Sequence, residues 1–104
     1  MNECGFANKE VFMTADKIRE ALSIYQAKFT AEEISKWRFP DDQKAVPFLK
    51  ATLSHAHWMI DEIYGFLAEG KIEKAHRWLG FIQGVLWATG QYTIEDLAAH
   101  SRSL

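Results

Sequence analysis

The chain has 104 residues, 48% apolar and 25% charged, with a formal net charge of −2. That length suits one domain over residues 1–104, and so mild a charge gives no electrostatic footprint for nucleic acid, which makes it an unlikely class of partner. One cysteine, Cys4, excludes an internal disulfide, so a reducing, cytoplasmic setting is expected.

Residues 1–13 show no basic start followed by a long apolar run, so no secretory leader is expected, and residues 1–12 are expected to be flexible. Thr14 has the chemistry of an N-cap, and Met13 with Ile18 has the spacing of a hydrophobic staple. Ile18, Leu22, Tyr25 and Phe29 then recur on one face of a helix. Thr30 with Glu33 matches a capping box, and Phe29 with Ile34 repeats the staple spacing. A second, short helix is therefore predicted from Ala31, carrying Ile34 and Trp37. Pro40 ends it, because proline disfavours helical geometry at Phe39.

Asp41 and Asp42 suit a turn or the start of another helix, and Pro47 fits the first turn of a longer helix reaching about Glu69. Its inner seam is Leu49, Leu53, Ala56, Ile60, Ile63 and Leu67, and Gly70 is its natural stop. The next helix repeats the seam in Ile72, Ala75, Leu79, Ile82 and Leu86, with Gly90 closing it. Thr93 with Asp96 resembles a capping box, and Tyr92 with Leu97 has staple spacing, so a last helix should span Ile94 to about His100. The fold class is all-α. We expect a small helical bundle built on a long antiparallel hairpin (about 47–69 and 71–89), with short N-terminal helices and a short C-terminal helix.

The run from Lys74 to Trp87 is apolar around most of its circumference and carries two interior glycines, Gly80 and Gly84. Each costs about 1 kcal/mol against alanine, which close packing usually offsets. Trp78, Phe81 and Val85 form a second apolar stripe beside the seam. With Gly80 and Gly84 they are the candidate interface, covered either by residues 14–39 or by a second subunit. A homo-oligomer is expected. The longest strongly apolar window, around Leu79–Ala88, is too short for a bilayer span, so no membrane partner is expected.

Lys74, Arg77, Gln83 and His57 are the candidate polar contacts. If Gly70 marks the turn, His57 lies near Gln83, and Asp61 and Glu62 near Arg77 or Lys74. Such pairs set the register between helices, while a buried Gln83 demands a partner from protein or ligand. Lys36, Arg38 and Lys44 form a basic cluster near Trp37, a pattern able to hold phosphate or a base. Glu73 and His76 make one Glu-x-x-His pair, and His57 with Asp61 has ligand spacing; a di-iron bundle needs two such pairs and two further glutamates. No metal and no cofactor are expected. There is no phosphate loop and no local catalytic triad pattern, so no enzyme activity is expected.

The segment Lys-Ala-His-Arg-Trp-Leu-Gly-Phe-Ile-Gln-Gly-Val-Leu-Trp-Ala-Thr-Gly-Gln-Tyr-Thr, residues 74–93, resembles a recurring feature of small bacteriophage and prophage proteins. In these a Trp-Met helix, like that around Trp58 and Met59, precedes an Arg-Trp-Leu-Gly-Phe-Ile-Gln-Gly helix. The resemblance covers roughly residues 55–100 and implies a phage or mobile-element origin. By analogy with phage accessory proteins, it implies a non-enzymatic protein that binds a host macromolecule, with counter-defence as one role. The alternatives are an oligomeric sponge for a cyclic-nucleotide signal and a structural or regulatory subunit. No functional residue is carried over from the resemblance.

Overall fold

The computed structural model describes residues 14–44 and 49–102. Among these it forms a small all-α bundle of four helices: α1 over Ala15–Ala31, α2 over Leu49–Ala68, α3 over Ile72–Ala88 and α4 over Ile94–Ser101. The expected flexible terminus, the Met13 half of the first staple and the Pro47 helix start lie outside the described residues.

Thr14 caps α1 from an extended backbone, its Oγ1 accepting the Lys17 N–H at 3.1 Å. Ile18, Ala21, Leu22, Tyr25 and Phe29 are fully buried, as their helical spacing requires. Each large side chain among them contributes roughly 1.5–3 kcal/mol by leaving water.

The predicted second helix does not form. Instead α1 continues through Thr30 and Ala31 and ends in a Schellman turn. The Ile34 N–H donates to the Phe29 carbonyl at 2.9 Å, and the Glu33 N–H to the Thr30 carbonyl at 3.1 Å. Phe29 and Ile34 are both buried. A five-residue spacing serves an N-terminal staple and the apolar contact of a Schellman turn equally well; here it marks an end.

Glu33 takes the left-handed position usually given to glycine, at φ 59°. Glu33→Gly is expected to raise stability by about 1 kcal/mol. Calorimetry should show a melting midpoint higher by roughly 4–8 °C; an unchanged or lower midpoint contradicts the strain assigned to Glu33.

Residues 34–40 are non-helical and run against α2, which supplies their hydrogen-bond partners. His57 Nδ1 donates to the Ile34 carbonyl at 2.7 Å, and the Ser35 and Ser54 hydroxyls meet at 3.2 Å. The Trp37 N–H donates to the Ser54 carbonyl at 3.1 Å, and the Phe39 N–H to His55 Nδ1 at 2.9 Å. A segment without internal hydrogen bonds needs such partners wherever it is shielded from water.

α2 and α3 form the hairpin, with Phe66 against Trp78 near the turn (4.9 Å between ring centroids) and His55 near Phe81 further along (6.3 Å). Gly70, at φ 77°, makes the turn: the Lys71 N–H reaches the Phe66 carbonyl at 2.8 Å. Leu53, Ala56, Ile60, Ile63 and Leu67 meet Ala75, Leu79, Ile82 and Leu86 in the core. Leu49 departs from the expected seam and is 53% exposed.

α1 packs across the hairpin, and α4 packs on α1 and α3. Thr93 and Asp96 form the expected capping box, each side chain accepting the other's backbone N–H. The N–H of Thr93 holds the Asp96 carboxyl below its usual range. A polar hub fixes α4 in place. Gln83 Nε2 donates to the Tyr25 hydroxyl at 3.0 Å and to Ser101 Oγ at 2.7 Å, while the Tyr25 hydroxyl meets His100 Nδ1 at 2.9 Å. Burial pushes the Tyr25 phenol up to about 12, although the Gln83 hydrogen bond pulls the other way. The phenol therefore stays protonated, and its proton is available to His100.

Candidate binding surface and cleft

A surface helix normally turns charged side chains to solvent opposite its core face. α3 does so only in its first half, where Glu73 and Arg77 are exposed and paired at 3.4 Å. Beyond Arg77 the exposed residues of α3 are Gly80, Phe81, Gly84, Trp87 and Ala88, with no polar side chain among them. Phe81 is 57% and Trp87 54% exposed. Among the described residues, a Cβ placed on Gly80 or Gly84 would meet nothing within 4 Å. Of the two alternatives for this face, cover by residues 14–39 therefore does not hold: both glycines face away from the other described residues. Trp87 also lines a shallow depression with the exposed Ile94, extending the apolar surface onto α4.

The expected second stripe divides. Trp78 is half-buried beneath the hairpin's own aromatics, Phe66 and Trp58. Val85 is half-buried against the core. Phe81 alone of the three remains mostly open. Residues 14–39 do not cover it.

The four polar candidates are distributed over separate places. His57 is buried between α1 and α2, its ring 5.2 Å from Phe29, and its Nε2 has no hydrogen-bond partner among the described residues. Gln83 is spent in the Tyr25–Ser101 hub rather than on His57. Lys74 Nζ lies 4.5 Å from the centre of the Phe66 ring. Asp61 pairs with Lys36 at 3.0 Å, not with Arg77 or Lys74. Arg77 borders a cleft whose lining does not include Lys74, Gln83 or His57.

That cleft has two lobes on either side of His55. One, of about 380 Å³, is walled by Phe39, Pro40, Thr52, His55, Phe81 and Val85. The other, of about 470 Å³, shares His55 and Phe81 and adds Arg38, Trp58, Arg77 and Trp78. Asp41 borders both lobes. The Arg38 guanidinium lies 5.1 Å from the centre of the Trp58 ring and pairs with Asp41 at 2.7 Å. The basic cluster seen in the sequence is thus dispersed: Arg38 turns to Trp58, Lys36 to Asp61, and Trp37 stacks edge-on with Phe39. The non-helical strap sends the successive side chains Lys36, Trp37 and Arg38 to different neighbours.

His55 joins the strap to α2. Its Nδ1 accepts from Phe39, so the proton of the neutral ring sits on Nε2. Burial holds the imidazole below its ordinary value of 6.5, Asp41 opposes this, and Arg38 reinforces it. Between the depressed folded value and 6.5 the unfolded chain binds more protons, so stability rises with pH across that window. The His55 contribution is therefore complete above pH 6.5 and is lost as pH falls through the folded value. Urea unfolding at stepped pH should show wild type losing stability faster than His55→Gln as pH falls from 6.5 to the folded value; parallel curves contradict the assignment.

Among the described residues no three His, Cys, Asp or Glu side chains converge as a metal site, and no helix is long and apolar enough to cross a membrane. Comparison with protein-family models, with curated proteins and with solved structures finds no match to this chain.

Proposed function

We propose that this chain is a non-enzymatic binding protein that works as paired copies joined through the outer face of α3. The observation that carries this reading is the unbroken Gly80–Phe81–Gly84–Trp87–Ala88 surface. Two helix-interior glycines cost about 1 kcal/mol each and admit none of the described residues. A second α3 approaching across them gives that cost a physical reason. The face is also self-complementary, since it carries both projections (Phe81 and Trp87) and recesses (Gly80 and Gly84). A twofold pair needs that property, because one patch must fit its own copy.

The phage resemblance supports placing such an assembly in a host cytoplasm, as an accessory protein that modulates a host macromolecule, counter-defence included. Exposed tryptophans such as Trp37 supply anchors for that partner. The cyclic-nucleotide reading loses its original support, because Lys74, Arg77, Gln83 and His57 share no site. Co-capture of two differently tagged copies tests the pairing. Tagged wild type should retain untagged wild type but not Phe81→Asp; retention of neither contradicts the proposal.

A further inference from the structure

Apart from Phe81, the two-lobed cleft has a lining that the pairing of α3 does not use. Ligand sites combine apolar and aromatic walls with a few convergent polar groups. Here the walls are Phe39, Trp58, Trp78 and Phe81, and each lobe has the volume of a small organic molecule. Six polar residues line the cleft: Arg38, Asp41, Gln43, Thr52, His55 and Arg77. Arg38 is already laid over Trp58, and Arg77 stands on the opposite helix, 64% exposed at its side chain and only loosely held by Glu73. His55 Nε2 and the Gln43 side-chain amide have no hydrogen-bond partner among the described residues.

We infer that this cleft binds a planar aromatic molecule bearing a single anionic group, phosphate or carboxylate. The apolar lobe between Phe39, Pro40 and Val85 takes the ring, and the Gln43 amide is placed at its edge. The lobe between Arg38 and Arg77 takes the anion, because two guanidiniums offer charge-assisted hydrogen bonds to its oxygens. Charge favours a small anion over a polyanion: two arginines less Asp41 leave only a modest positive excess along the lining. A polyphosphate would bring surplus negative charge beside Asp41, which disfavours it. His55, between the lobes, donates through Nε2 to an acceptor linking ring and anion.

The site is independent of α3 pairing, although Phe81 borders both. Backbone amide NMR of the full chain tests it, with adenosine 5′-monophosphate and indole-3-acetate as probes and uncharged adenosine as control. Saturable shifts at Phe39, His55 and Phe81 are expected with at least one anionic probe, and adenosine should bind at least tenfold more weakly. Response to the nucleotide alone assigns the anion as phosphate; response to both assigns the wider aryl-anion class. Arg77 is exposed, so Arg77→Gln leaves the fold intact and is expected to weaken binding at least tenfold, as is Arg38→Gln. Gly84→Glu, which removes pairing, should titrate as wild type does. No saturable shift with either anion up to about 10 mM overturns the proposal. So does adenosine binding as tightly as its monophosphate, full affinity in both arginine variants, or loss of binding in Gly84→Glu.

Discussion

Leu79→Ala is expected to destabilise the protein by about 2–5 kcal/mol. Leu79 is 1% exposed and lies at the centre of the seam with Ala56, Ile60 and Ile63. Its removal forfeits burial and leaves a cavity that the fixed hairpin geometry closes only in part. A domain of this size has roughly 5–15 kcal/mol in total, so the loss should lower the melting midpoint by some 10–30 °C. Phe81, two residues on, has the larger side chain and the opposite fate. At concentrations too low for pairing, Phe81→Ala should shift stability by no more than about 0.5 kcal/mol, as surface substitutions do. Calorimetry of the two variants at low concentration checks the pair. Equal costs would mean that Phe81 is covered within the chain.

The second large effect has opposite signs in two measurements. Gly80→Ala and Gly84→Ala should each stabilise the unpaired chain by up to about 1 kcal/mol, because alanine is the better helix former and its methyl meets nothing within 4 Å. The same methyls stand between two backbones in the pair, so the double variant should weaken self-association at least tenfold, about 1.4 kcal/mol or more. Gly65 is the control. It is exposed in the interior of α2 and equally open, but it lies away from the proposed interface. Gly65→Ala should raise stability and leave association unchanged.

Much of the fold was legible because its signals are local and chemically specific. Thr14 and the Thr93–Asp96 box cap the starts of α1 and α4, and Gly70 and Gly90 take the positive φ that ends α2 and α3. The seams followed from spacing alone. The misreading at residues 31–39 has a physical cause: Thr30 and Glu33 have the letters of a capping box, and Phe29 with Ile34 has the separation of a staple. Nothing in the sequence says that Glu33 accepts a left-handed backbone. That choice is decided by tertiary structure, through burial of Ile34 and the partners that Ser54, His55 and His57 offer the strap.

The candidate site was legible in one part only. The excess of apolar surface on α3 is a property of the sequence, and Gly80, Phe81 and Gly84 do form its exposed face. Which aromatic stays exposed was not readable, because Phe66 and Trp58 cover Trp78 from the facing helix. The partners of Gln83 lie 58 residues before it and 18 after it, beyond any local pattern. The cleft depends on the strap, and a helix over residues 31–39 would not form its Phe39–Pro40 wall.

Sedimentation equilibrium of the intact chain, beside its Gly80→Ala/Gly84→Ala double variant, tests most directly whether the glycine face of α3 is an interface between copies. Wild type should sediment as a concentration-dependent dimer at micromolar concentration, and the more stable double variant should shift towards monomer. A wild-type monomer throughout that range, or a double variant that dimerises as tightly as wild type, would contradict it.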